Sequence, residues 1–420
     1  MKVSNVNNTV WQFATAGNIK FGRGSAEGIL HELERWHLTR PLIVTDPRLM
    51  ATDGVAKIVG DICSKFPKAI LFAGCVAEPS VAIADAAIEA GRSGDADGVI
   101  GIGGGSNLDV SKMAATVLKH GGKPSDYFGF DAIPGPILPL FAVPTTAGTG
   151  SEVSHSSVLS DPVSSVKVST LSRWLRPWVA IVDPSLTDSC PPTVTAHSGI
   201  DALVHAVEAY TNRDFSQMVG VDPQARAYEG SYRLTGLFAA EAMQLIAKHL
   251  VRVYENPNDH ESRDAMAMAA MLAGMAFSNS GVALVHALEY PIGTLTHCSH
   301  GEGNGLLLPH VMRYNLPRCT EAMAEIGKLL DVSPSPPAPL PEDGARGAGP
   351  TIESWSHVAI DRVVELQKKI GIRTRLSELG LKRDDIRLVA NKAFQIKRLM
   401  DVNPRRPTEL ELVEILEAAY

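Results

Sequence analysis

Up to about Ser189 the chain alternates short apolar, β-branched runs with helix-length segments whose apolar positions recur on one face. Pro41–Thr45, Ala69–Phe72, Gly98–Ile102, Pro139–Val143 and Trp178–Val182 are predicted strands, and Gly54–Phe66 and Ser80–Arg92 are predicted helices between them. Continuous apolar strands separated by helices imply a parallel sheet covered on both faces. Beyond Ser189 the strand signal fades. Helical periodicity covers Val194–Tyr210, Gly236–Val253, Ser262–Phe277, Glu321–Leu330, Thr351–Ile370 and Thr408–Ala419. The expected fold is an α/β dinucleotide-binding domain with a parallel sheet, residues 1–188, followed by an all-α metal-binding domain, residues 189–420. Asp183-Pro184 and Pro191-Pro192 mark the break, and the Pro- and Gly-rich stretch Ser333–Pro350 reads as a surface loop.

A chain of 420 residues can build two cores of this kind. The formal net charge of −7, with both signs mixed along the chain, offers no basic footprint for nucleic acid or for anionic lipid. The longest apolar run, Ala265–Phe277, is shorter than the roughly 20 residues that span a bilayer, so it reads as a buried helix. Met1–Thr15 has one lysine and no apolar core, which argues against a secretory or transit segment. Five cysteines without a CxxC pair fit reduced thiols and a cytoplasmic location.

The third strand runs straight into Gly103-Gly-Gly-Ser-Asn-Leu-Asp-Val-Ser-Lys112 and then a helix. Glycines let a backbone approach an anion closely, and a helix amino terminus offers unpaired N–H groups and partial positive charge. A pyrophosphate suits this turn, although Ser106 stands where the third glycine of GxGxxG would fall. Pro144-Thr-Thr-Ala-Gly-Thr-Gly-Ser-Glu152 is a second loop after a strand, with hydroxyls at Thr145, Thr146 and Thr149 for phosphate or ribose oxygens. Asp46 ends its strand where a carboxylate can accept from a ribose diol and repel a 2′-phosphate, favouring NAD over NADP. A plain strand-ending turn is the competing reading of Asp46-Pro47.

In the second half, Asp201 and His205 are four apart and share one helix face. His286 lies in an Ala/Val/Leu segment, a costly environment for an unpartnered imidazole. A Pro/Gly-containing connection, Pro291 to Gly293, can bend the chain back toward His297 or His300, and Gly301-Glu-Gly-Asn-Gly305 reads as a turn. Three imidazoles and one carboxylate would suit Fe²⁺ or Zn²⁺ and not Mg²⁺ or Ca²⁺. Spacing leaves His297 and His300 as alternatives. Arg173, Arg176 and Arg213 are equal candidates for holding a substrate carboxylate.

Taken in order, these segments resemble the iron-containing (group III) alcohol dehydrogenase family, whose architecture is that of dehydroquinate synthase. The resemblance runs from the strand before Asp46 to Asn403-Pro404 and the last helix. It implies that Asp201, His205, His286 and His300 are the metal ligands, which selects His300 over His297. It also implies that Gly104, Gly105, Ser106 and Asp109 belong to the pyrophosphate motif. Thr145, Thr146 and Thr149 fall on the second nucleotide loop, Lys167 on a position contacting the cofactor ribose, and Asp46 on the position associated with NAD preference. The implied activity is hydride transfer between NAD and a primary alcohol or hydroxy acid, by an enzyme that is often a homodimer. Two departures stand out. Many alcohol-active members carry, four residues after the position of His286, a histidine that passes the alcohol proton to solvent. This chain has Tyr290 there, either as a substitute relay or as a packing residue, and tyrosine is similar to the hydroxyacid–oxoacid transhydrogenase branch acting on 4-hydroxybutyrate. Glu78 stands where asparagine is common near the adenosine. A maleylacetate reductase-like activity is a further alternative within the resemblance.

Overall fold

The computed structural model describes residues 9–161, 166–218, 226–331 and 351–420. The Ser333–Pro350 segment and the first eight residues of the amino terminus lie outside them. Strands β1 (Asn18–Phe21), β2 (Pro41–Val44), β3 (Ile70–Phe72), β4 (Gly98–Gly103), β6 (Leu140–Pro144) and β9 (Val179–Val182) form a six-stranded sheet in the order β1-β9-β6-β4-β2-β3. Every neighbouring pair in it is parallel. Helices α1 (Ile29–Arg35), α2 (Pro47–Met50), α3 (Asp53–Lys65), α4 (Val81–Ser93) and α5 (Gly105–His120) connect the strands.

Alternation along the strands sends side chains into two separate layers. Leu42 and Val44 of β2 join Ala84 and Ile88 of α4 and Val110 and Met113 of α5 on one face. Ile43 of β2 and Ile100 and Ile102 of β4 pack on Leu33 of α1 and Ile58 and Ile62 of α3 on the other. Each such buried Leu, Ile, Val or Met side chain contributes about 1.5–3 kcal/mol. The edge strand β3 is the exception to a sheet covered on both faces, since its Leu71 is 42% exposed.

Residues that lack a strong strand pattern form a second sheet, of order β5-β8-β7, from β5 (Gly129–Phe130), β7 (Ser156–Asp161) and β8 (Val166–Leu171). Its β7–β8 pair is antiparallel. Serines occupy many of its positions, so the apolar signal of a buried strand is missing.

From Pro192 onward the described residues form helices and short connections. These are α6 (Pro192–Thr211), α7 (Arg233–Glu255), α8 (His260–Ser280), α9 (Leu284–Thr296), α10 (His300–Asn315), α11 (Thr320–Leu330), α12 (Ile352–Lys369), α13 (Ile386–Phe394), α14 (Lys397–Val402) and α15 (Glu409–Ala419). Among the described residues no single helix is long and apolar enough to cross a membrane.

Two sequence expectations fail here. Pro291 and Gly293 lie inside α9 rather than in a bend, and the chain reverses after Thr296, where His297 adopts a left-handed conformation. Gly301 to Gly305 do not form a turn but the first turns of α10. Glycine disfavours a helix interior by up to about 1 kcal/mol, but the absence of side chains allows close helix contact. A Cβ on Gly301 would collide with the His197 carbonyl, and one on Gly305 would come within 2.8 Å of Ile200, both on α6. Tertiary packing overrides local propensity.

Candidate active site

The chain turns outward from β2 to β3 and in the opposite direction from β4 to β6, so the sheet's switch point lies between β2 and β4. Ligands of open α/β sheets collect beyond the carboxyl ends of strands at such a point. Asp46 and the Gly103–Ser106 turn both lie there. Gly103 has a φ of 150°, and a Cβ on it would collide with Asn107. No side-chain hydrogen bond caps α5 among the described residues, which leaves its first N–H groups free for an anion. The second loop closes over the first: a Cβ on Gly104 would lie 3.5 Å from Thr146, and one on Gly105 would lie 2.7 Å from Thr149. Thr145 is buried and its N–H bonds the Gly103 carbonyl at 3.0 Å.

Three nucleotide-side residues have protein partners that the sequence did not announce. Asp46 Oδ1 accepts from the Arg48 and Leu49 N–H groups, capping α2, and its Oδ2 accepts from Asn107 Nδ2 at 3.1 Å. The strand-ending-turn reading of Asp46 is therefore realised. Asp109 accepts from Ser151 Oγ at 2.7 Å and from Val158 N–H at 2.9 Å, tying α5 to β7. Burial lifts its carboxyl above the ordinary range. Lys167, expected at the cofactor ribose, lies 2.9 Å from Glu78 and 3.3 Å from Glu289. Burial opposes its charge, but Glu289 and Glu78 together hold its ammonium above the usual lysine value.

On the helical side, α6 presents Asp201 and His205, α9 presents His286 and α10 begins at His300. One donor atom from each of Asp201, His205 and His286 lies within 4.8 Å of the others, and all three residues are buried. His300 joins them through Asn304: its Nε2 is 3.1 Å from Asn304 Nδ2, which is 2.8 Å from Asp201 Oδ1 and 3.2 Å from His286 Nε2. His297, the spare candidate, ends α9 and is not in this cluster of described donors.

Two glutamates fix the imidazoles. Glu208 accepts from the Ala283 and Val285 N–H groups and from His286 Nδ1 at 2.7 Å. Glu289 lies 2.5 Å from His300 Nδ1. A carboxylate acceptor at Nδ1 keeps the proton there and leaves Nε2 as a lone pair, the arrangement that orients metal-binding histidines. Glu208 on α6 and Glu289 on α9 each hold a histidine of another helix, so spacing within one helix does not reveal either contact.

The electrostatics favour a cation. His205 Nδ1 is buried without a hydrogen-bond partner among the described residues, 3.9 Å from Asp201 Oδ2. Burial pushes His205 down to about 3, so its imidazole is neutral. Burial works against the Asp201 carboxylate, yet His205, His300 and His286 hold its pKa below the ordinary aspartate value. Burial opposes protonation of His300 too, but Glu289 and Asp201 lift it to about 9, so ligation there requires loss of the Nε2 proton. An unpartnered ring nitrogen, a buried carboxylate and two imidazoles with carboxylate-fixed tautomers fit a divalent transition metal.

Both halves open into one cleft, lined by Gly105 and Ser106 as well as by Asp201, His205, His286 and His300. Tyr290 lines it too, stacked on His300 with ring centroids 6.0 Å apart. Burial raises its phenol above the ordinary value, so it stays protonated near neutral pH. Arg173 and Arg176 line different cavities, and Arg213 donates to the Asp401 and Gln217 carbonyls.

A glycine-rich turn at a helix amino terminus, facing a nitrogen-and-carboxylate cluster across one cleft, is the arrangement of two-domain, nucleotide-dependent oxidoreductases. The chain matches the iron-containing alcohol dehydrogenase model over residues 16–184 and the C-terminal model of the Fe-containing alcohol dehydrogenase family over residues 226–420. It is 35% identical to long-chain-alcohol dehydrogenase 1 of Geobacillus thermodenitrificans, over 95% of this chain and 94% of that one. Its fold is similar to that of crystalline 1,3-propanediol oxidoreductase, with a TM-score of 0.87 and 30% identity over 98% of this chain and 100% of the other. It is also similar to sulfoacetaldehyde reductase from Bifidobacterium kashiwanohense in complex with NAD⁺, with a TM-score of 0.81 and 27% identity over 98% and 99% of the two chains. The chain belongs to the iron-containing alcohol dehydrogenase family. It is an alcohol dehydrogenase-type oxidoreductase that uses NAD and a metal.

Proposed function

We propose that the chain interconverts a primary alcohol or hydroxy acid and its aldehyde, with Asp201, His205, His286 and His300 holding one Fe²⁺. Zn²⁺ is the competing ion, because it accepts the same donors. Gly104, Gly105, Ser106 and the α5 amino terminus would hold the diphosphate of NAD, with the hydroxyls of Thr145, Thr146 and Thr149 on the second loop beside it. Asp46 bounds the adenosine ribose and disfavours a 2′-phosphate. Asp109 holds α5 against β7, and Lys167, between Glu78 and Glu289, would contact the cofactor ribose. The division at 188/189 separates the cofactor-binding half from the metal-binding half. The observation that carries this reading is the shared cleft touching Gly105, Ser106 and all four proposed ligands.

When bound, the metal supplies Lewis-acid polarisation of the substrate oxygen and NAD accepts hydride. The chain's own residues supply position and proton handling. Glu208 and Glu289 keep His286 and His300 in the tautomers that present Nε2. Leu171, Phe277 and Val282 give the cleft an apolar wall that limits water near the reacting carbon. Tyr290, protonated and beside His300, passes the hydroxyl proton toward solvent by donating and accepting hydrogen bonds.

His286→Ala is expected to abolish tight metal binding and NADH formation while NADH fluorescence still reports cofactor binding. Full activity in that variant contradicts the ligand assignment. Metal analysis after anaerobic purification separates iron from zinc. Five free cysteines support a reducing, cytoplasmic setting. A homodimer is the assembly we propose, and analytical ultracentrifugation tests it.

A further inference from the structure

Arg398, on α14, drew no attention in the sequence, yet it stands behind the cleft wall. Its Nη2 donates to Ser169 Oγ at 3.0 Å, and Ser169 lines the cleft on the same face of β8 as Lys167 and Leu171. Tyr228 and Tyr290 line the same wall. Arg398 lies near both phenols and hydrogen-bonds that of Tyr228. Its Nε is buried with no hydrogen-bond partner, and no carboxylate lies within ion-pair distance of it among the described residues. The other cations of this wall are already satisfied. Lys167 faces Glu78 and Glu289, and Lys112 is held by Ser151, Ser154 and the Ser156 carbonyl.

A half-buried guanidinium without a counter-charge, separated from a substrate cleft by one serine hydroxyl, suits a carboxylate that arrives with the ligand. We infer that Arg398, with Ser169, holds the carboxylate of a short hydroxy acid whose carbinol end lies at the Asp201–His205–His286–His300 cluster. The substrate class is thus hydroxy acids and their oxo-acid partners rather than plain alkanols. In the forward direction the carbinol C–H bond breaks, with its electron pair moving to NAD⁺. The hydroxyl proton is released and a C=O bond forms, giving the oxo acid, NADH and H⁺. The inference rests on the proposed dehydrogenase reading of that cluster.

The test compares kcat/KM for 4-hydroxybutyrate and 1-butanol, which share a carbon count and differ in the carboxylate. It uses iron-loaded wild type, Arg398→Leu, Arg398→Lys and Ser169→Ala, with thermal unfolding as the check on folding. Wild type is expected to prefer the acid. The acid-to-alcohol ratio is expected to fall on the order of 100-fold in Arg398→Leu, mainly through KM, and less in Arg398→Lys. Butyrate is expected to inhibit wild type competitively against the alcohol, a readout that needs no variant to fold. A wild type that oxidises 1-butanol as well as the acid and ignores butyrate overturns the inference while sparing the dehydrogenase reading. An unchanged ratio in a folded Arg398→Leu does the same. Failure of the iron- and zinc-loaded enzyme to oxidise either compound overturns both.

Discussion

Glu208→Gln is nearly isosteric and isolates the electrical role of one buried carboxylate. In the native protein, Oε1 accepts from Val285 N–H at 2.7 Å, while Oε2 accepts from Ala283 N–H at 2.8 Å and from His286 Nδ1 at 2.7 Å. Glutamine has one acceptor oxygen. If its oxygen stays on Val285, the amide NH₂ meets the Ala283 N–H and His286 Nδ1. His286 can then accept only by moving its proton to Nε2, the nitrogen 4.0 Å from Asp201 Oδ1. That nitrogen would no longer present a lone pair to a cation. If the amide flips, the Val285 N–H is left unpaired, costing about 1–3 kcal/mol of stability. Losing a carboxylate that orients a metal-binding histidine lowers metal affinity about 10- to 100-fold, equivalent to about 1.4–2.7 kcal/mol. Anaerobic Fe²⁺ titration against a chromophoric chelator, run beside thermal unfolding, reads both terms. An iron affinity within twofold of wild type at an unchanged Tm would refute the reasoning.

Three further outcomes follow from the same geometry. Gly105→Ala puts a methyl group 2.7 Å from Thr149 Cγ2, so the KM for NAD should rise about tenfold in initial-rate assays while kcat changes little. Gly301→Ala drives a methyl group into the His197 carbonyl and to 3.2 Å from Asp201 Cβ, separating α10 from α6. Calorimetry should show a Tm lower by about 2–10 °C, and elemental analysis should show reduced metal content. Chelation of the metal should lower the Tm of wild type, because an ion at a hundred times its Kd stabilises by about 2.7 kcal/mol. His286→Ala should show no such dependence on chelator.

The parts of the site that the sequence exposed are those in which local pattern and chemistry coincide. Asp201 and His205 stood out as a pair by helical spacing, His286 by its apolar surroundings, and the Gly103–Ser106 turn by glycines between a strand and a helix. The central strands were legible because burial on both faces leaves an uninterrupted apolar run. What escaped was set by tertiary contacts. Glu208 and Glu289 look like ordinary helical glutamates until α9 packs on α6. Arg398 is one of several arginines until α14 meets β8. Lys167 was expected at a ribose, and its ion pairs with Glu78 and Glu289 arise from residues far apart in the chain. The glycines of α10 spelled a turn by composition, and only the close approach of α6 makes them helical. The serine-rich β7 lacks an apolar face, so its sheet could not be anticipated.

The central claim is that four side chains from α6, α9 and α10 enclose one cation in front of the dinucleotide loop. Anomalous diffraction at the iron edge, on crystals of anaerobically loaded protein, tests it most directly. One strong peak is expected about 2.0–2.2 Å from a carboxylate oxygen of Asp201 and from a ring nitrogen of each of His205, His286 and His300. A peak bound elsewhere, or loaded protein with no peak among these four residues, would contradict it.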